Sequence, residues 1–316
     1  MPTHYLDSEK SESSLRTDQT RITITAERRR WARKPAHITD ALDFWSFAGA
    51  AANVILQLGW PEVAYGVMES KVESGALTAH PWKRARTTTQ YLTVAILGDE
   101  EERKAYREAV NSVHRHVKSD SNSPVKYNAF NRELQLWVAA CLFIGFEDSH
   151  QLLHGKMSEE QAESFYKSAS TLGTTLQVTE EMWPATRADF ERYWNLGCER
   201  VVIDERTKQY LIDLVNLQMI AWPIRLVFRN LLRFLTVGFL PPIYRDQLDL
   251  EWTEDDRRRF EHLFIFVSFV NRFIPRSVRQ AGNTIQMRDI RRRIKASKNL
   301  VEPAARYSLS ILLPYR

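Results

Sequence analysis

The stretch NRELQLWVAACLFIGFEDSHQLLHG, residues 131–155, decides the fold class: its periodicity is helical over its whole length and Gly155 stops it. The same habit extends outward in both directions from Asp40 onward. ALDFWSFAGAAANVILQLGWPEVAYGVMES (41–70) gives two helices separated at Pro61, a residue tolerated at a helix start and resisted inside one. TTTQYLTVAILGDEEERKAYREAVNSVHRHV (87–117) gives a helix, a break at Gly98-Asp99 and a second helix. SEEQAESFYKSASTLG (158–173) opens on a capping Ser158 and closes on Gly173, PATRADFERYWN (184–195) starts on proline, and DDRRRFEHLFIFVSFVNRF (255–273) is the clearest helix of the last third. RITIT at 21–25 is the only strand candidate. The expected fold is all-α, one large helical domain over 39–285, with a mobile polar and basic tail at 1–38 and a basic extension at 286–316.

The chain has 316 residues, 44% of them apolar and 11% aromatic, so it can bury a sizeable core, and its net charge of +5 permits an anionic partner without demanding one. Cys141 and Cys198 match no zinc, haem-c or redox spacing. The N-terminal MPTHYLDSEKSESS lacks the apolar core of a signal peptide. The most apolar region, Tyr210 to Leu240, is interrupted by Asp213, Arg225, Arg229 and Arg233, which leaves peripheral membrane contact open and a spanning helix unexpected. These features lead us to expect a soluble, reduced, cytoplasmic protein.

No phosphate-binding glycine loop, dinucleotide fingerprint or nucleophile elbow is present. A di-iron bundle needs two Glu-x-x-His pairs, and only Glu147 with His150 fits. His150 and His154 share a helix face, as zinc ligands can, but lack a nearby third ligand. In VNSVHRHV (110–117), Tyr106, Val110, Val113 and Val117 form the apolar stripe, and His114 and His116 lie roughly 80° from its centre on opposite flanks. Periodicity cannot choose between them as a haem ligand, a base or ordinary boundary residues. Arg84 and Thr88 sit one turn apart on one face, able to orient bound oxygen or an anionic group, or to serve as a surface pairing and a core residue. Arg225, Arg229 and Arg233 form a stripe suited to haem propionates, lipid headgroups or plain solvent.

Several segments, in consistent order, resemble the rubber-oxygenase (latex-clearing protein) and mycophenolic-acid oxygenase MpaB catalytic-domain family. They are LQLGWPEVAYGV (56–67), HPWKRARTTTQYL (80–92), VHRHV, YNAFNRELQLWVAACL (127–142), WPATRADFERYW (183–194) and GFLPPIYRDQLDLEWTEDD (238–256). The resemblance implies a globin-like helical core holding haem b and an enzyme that uses O2 on a hydrophobic, unsaturated substrate of isoprenoid or lipid-like kind, by oxidative C=C cleavage. The family's H-x-x-V histidine falls on His114, which the resemblance selects over His116 as the iron ligand. Its distal arginine and threonine map onto Arg84 and Thr88, and Glu69 is the nearest carboxylate for removing an allylic proton. Ala139 and Ser70 stand where relatives often carry histidine.

The alternative is a non-catalytic helical protein that binds a hydrophobic ligand or a membrane surface on the same scaffold. No nucleic acid is expected, since ERRRWARK and RDIRRRIKASK lack a recognisable module. The sequence carries no signal for an oligomeric state.

Overall fold

The computed structural model describes residues 19–27, 37–70, 81–220 and 222–301, and the remaining parts of the expected tail and extension lie outside them. Two short 3-10 turns, Ile38–Ala41 and Phe44–Gly49, lead into α1 (Ala50–Gln57), and Pro61 at the first helical position starts α2 (Pro61–Met68). Then follow α3 (Pro81–Leu97) and α4 (Glu100–His114). The Gly98-Asp99 break is a capping box: the Asp99 carboxylate accepts from the Glu102 N–H and Glu102 accepts from the Asp99 N–H. The decisive stretch is α5 (Arg132–His154), capped by Asn131 and ended by Gly155 at φ 84°, a conformation in which a Cβ would be strained.

Two boundaries differ from the sequence pattern. The segment opened by Ser158 breaks into α6 (Glu159–Lys167) and a single turn, α7 (Thr171–Thr174), so Gly173 lies inside a turn instead of ending a helix. The Ser168 hydroxyl causes the break, donating to the Phe165 carbonyl while accepting from the Ile38 N–H. The next helix, α8 (Arg187–Glu199), starts at a Thr186–Asp189 capping box and not at Pro184. The chain continues through α9 (Glu205–Val215), α10 (Trp222–Gly238), α11 (Pro242–Gln247), α12 (Glu254–Asn271), α13 (Arg276–Arg279) and α14 (Ala281–Lys295). The domain is all-helical, with one isolated bridge, Lys118 to Asn128, and no strand among the described residues. RITIT forms no strand and pairs with no sheet among the described residues.

The helix α5 is buried nearly all round, as a helix apolar on every face must be, and α1, α7 and α12 pack on it. At its centre Trp60, Trp137 and Trp194 stack with ring centroids 4.7 and 5.0 Å apart. Their indole N–H groups donate to the carbonyls of Gly197, Gln57 and Thr20, so three large side chains are buried with no orphan donor. Gly197 is obligatory there: a Cβ would stand 2.5 Å from the Trp137 ring.

Part of the stretch expected to be a tail is built into the body. Ile22 and Ile24 are buried, and Arg21 reaches Glu147 (2.8 Å), Asp148 (2.6 Å) and Glu191 (3.1 Å). Likewise α14 belongs to the domain, with Met287 and Ile290 buried against Val94 and Tyr106 behind α3 and α4.

Candidate functional site

The helices α3 and α4 form an antiparallel pair, held at the Gly98-Asp99 turn and backed by α14. Thr93 Oγ1 meets Asn283 Oδ1 at 3.2 Å, Arg86 lies 3.6 Å from Asp289, and Arg291 pairs with Glu102 at 2.6 Å. This support fixes the faces of the pair that carry Arg84, Thr88 and His114.

His114 is the last residue of α4 and is half-buried. Its Nδ1 is buried and has no hydrogen-bond partner. Burial first, and the Arg84 guanidinium second, push the imidazole down to about 4, so it is neutral at physiological pH. Arg84 retains exposed surface, yet the protein crowded around it holds its guanidinium below the usual arginine range, opposed by the nearby Tyr210 of α9. The guanidinium is thus exposed but has protein close around it, Tyr210 included. It makes no ion pair with any described residue.

Thr88 is half-buried one turn along α3. Thr87 and Thr89 each spend their hydroxyl on their own helix, donating to the Arg84 and Arg86 carbonyls at 3.0 Å, whereas Thr88 makes no such bond among the described residues. Arg84 and Thr88 thus present a cation and an uncommitted hydroxyl on one helix face, with the His114 imidazole close to the cation. Sequence reasoning missed Tyr210, because it lies on a helix distant in the chain and no local pattern marks it.

Glu69 and His116 belong to a different place. With Ser123, Asp120 and Tyr127 they line a recess of about 200 Å³ beyond the end of α4. Hydrogen bonding from Ser123, with Arg206 at 2.9 Å and Tyr127, holds the Glu69 carboxylate below its usual range. An ion-paired carboxylate of lowered pKa is a weak proton acceptor, so the structure gives Glu69 an anchoring contact to α9 instead of the raised pKa expected of a base near neutrality.

The Glu147 and His150 pair is likewise explained by packing. Both Glu147 oxygens are taken, Oε1 by Arg187 Nε at 2.9 Å and Oε2 by Arg187 Nη2 at 2.7 Å and Arg21 Nη2 at 2.8 Å. His150 stacks near His154 and Phe165 at 4.6 and 5.6 Å. Among the described residues no cluster of three or more His, Cys, Asp or Glu side chains could hold a metal ion alone.

Residues 40–269 match the model of the ER-bound oxygenase mpaB/B'/Rubber oxygenase catalytic-domain family, and the chain belongs to that family. It is also 43% identical over 251 residues to Uncharacterized protein Mb2261 of Mycobacterium bovis and to Uncharacterized protein Rv2237 of Mycobacterium tuberculosis, covering 79% of this chain and 98% of each relative. No solved structure matches. Among the described residues no helix is long and apolar enough to cross a membrane.

Proposed function

We propose that the protein is a haem b-dependent oxygenase in which His114 is the iron ligand, and that it uses O2 on an apolar, unsaturated substrate of isoprenoid or lipid-like character, by oxidative C=C cleavage. The observation that carries this assignment is the closeness of a neutral imidazole, His114, to a cation, Arg84, that no described carboxylate neutralises. An imidazole near pKa 4 offers a nitrogen lone pair without first losing a proton. Arg84 has no carboxylate among the described residues to neutralise it, which suits a haem propionate. Haem iron, when bound, supplies the binding and activation of O2.

The chain's own side chains do the rest. His114 would hold the group through one nitrogen, and its buried Nδ1 would need the hydrogen-bond acceptor that usually orients a ligating ring. Arg84 would hold a propionate carboxylate or polarise oxygen, and the Thr88 hydroxyl would be placed to donate a hydrogen bond toward oxygen. Tyr210 stands near Arg84.

The test is an absorption spectrum of protein expressed with haem supply, beside His114→Ala and His116→Ala. A Soret band that is lost or shifted only in the His114 variant supports the assignment. No band after reconstitution would leave a non-catalytic scaffold, and a band altered only by His116→Ala would move the ligand. Oxygen uptake with unsaturated isoprenoids and lipids then addresses the substrate class.

A further inference from the structure

The exposed bulky apolar side chains are concentrated on two helices. Of the eighteen on the described surface, ten fall on α10 up to Leu231, on the second half of α12 and at Phe273 just after it. On α10 they are Trp222, Leu226, Val227, Phe228 and Leu231, with Leu226 75% and Val227 71% exposed. Every residue from 226 to 231 is exposed, which is more than one full turn, so this part of the helix is open around its whole circumference. On α12 they are Ile265, Phe266, Phe269 and Val270, followed by Phe273 just past its end, with Phe266 and Phe273 both 64% exposed.

The two helices meet away from these runs. Phe234, toward the end of α10, packs on Trp252 and Phe260 around the start of α12, and Phe239 just beyond α10 packs on Phe260 and Phe264. The exposed run of each helix therefore lies outside that aromatic contact. A folded chain does not leave such a platform to water without a use.

Charge selects what covers it. From 222 to 245 the sequence holds Arg225, Arg229, Arg233 and Arg245 and no acidic residue; from 262 to 288 it holds Arg272, Arg276, Arg279 and Arg288 and again no acidic residue, although Arg276 and Arg279 pair with Asp40 and Asp43. Arg229 and Arg272 are exposed, and Arg272 lies over the Phe269 and Phe273 rings at 5.4 and 4.7 Å. A second copy of the chain meeting this face would bring arginine against arginine. An anionic bilayer offers hydrocarbon to the aromatic and aliphatic side chains and phosphate to the guanidinium groups.

We propose that the open halves of α10 and α12 form a docking platform that seats the protein in the headgroup layer of an anionic membrane, lying on the surface without crossing it. The inference stands apart from the haem assignment, since it uses neither His114 nor Arg84.

The experiment is flotation of the full chain with vesicles of phosphatidylcholine alone and of phosphatidylcholine mixed with phosphatidylglycerol. The parent is expected to float with the mixed vesicles and hardly at all with the neutral ones. Leu226→Glu combined with Phe266→Glu should lose at least tenfold in partition, with its urea midpoint unchanged because both side chains are exposed. Arg229→Gln combined with Arg272→Gln should lose about twenty-fivefold on mixed vesicles, at about fivefold per arginine near such a surface. A parent that stays soluble with both vesicles overturns the proposal. So does undiminished binding by the glutamate variant. A parent that dimerises, ignores vesicles and becomes monomeric on Leu226→Glu would assign the face to a second copy instead.

Discussion

Replacing Arg21 by methionine removes the cation that joins residues 19–27 to α5 and α8. Glu147 keeps its two-point bond to Arg187 at 2.9 and 2.7 Å, so the loss falls mainly on Asp148. Burial already raises the Asp148 carboxyl to about 6, outweighing the attraction of Arg21. Without Arg21 its pKa climbs further. The sign follows from proton counting. Above about pH 6 the parent's folded Asp148 is ionised, like the unfolded one; the variant's folded Asp148 takes up a proton that the unfolded chain does not hold. The variant's stability therefore falls relative to the parent as pH rises, by about 1.4 kcal/mol per pH unit until its own pKa is reached. Adding the lost contacts to Glu147 and Glu191, the gap should be about 3 to 4 kcal/mol near pH 8, in the range for breaking a buried pair, and about 1 kcal/mol near pH 6. Below that it should level off, since the carboxyl is then protonated in both proteins. Urea unfolding of parent, Arg21→Met and Arg21→Met/Asp148→Asn at several pH values measures this. The double variant should regain at least half of the loss near pH 8. A gap that does not change with pH, or no recovery on Asp148→Asn, would refute the coupling.

Other expectations concern the core and the site. Gly197→Ala should cost about 1–3 kcal/mol by overpacking, because the Trp137 ring is held between two other indoles and cannot move aside; an unchanged melting temperature would contradict the stacked core. The depressed His114 pKa means that the haem-free protein loses stability as pH falls from about 6.5 to about 4, by up to about 3 kcal/mol, since only the unfolded chain is protonated in that window. Comparing the pH dependence of unfolding for parent and His114→Gln isolates this contribution, and identical slopes would show that the ring is not desolvated. Arg84→Met should raise the His114 pKa, as followed by imidazole proton resonances, because a neighbouring cation is removed. No movement would separate the two groups.

The helical class and most helix boundaries were legible because they are set locally. Pro61, Asp99, Asn131 and Gly155 act within one turn of themselves, and the structure places them as the pattern requires. Gly173 and Pro184 misled, since Ser168 and Thr186 cap more strongly, and the Ser168 bond to Ile38 joins residues distant in the chain. The candidate ligand shows the same division. The helical wheel put His114 and His116 at equal angles from the stripe; the fold buries Nδ1 of His114 beside Arg84 and leaves His116 exposed in the recess with Glu69.

By itself the sequence determined an all-helical domain, the family segments and the short list of polar residues, because periodicity, capping and motif order are properties of neighbouring residues. Only the tertiary structure decided that residues 19–27 and α14 belong to the body, that Tyr210 stands near Arg84, and that Glu69 is spent on Arg206. It also decided that α10 and α12 each leave an apolar run uncovered. Burial and charge proximity depend on segments separated by a hundred residues or more in the chain, as Arg21 and Glu147 are, and no local pattern encodes them.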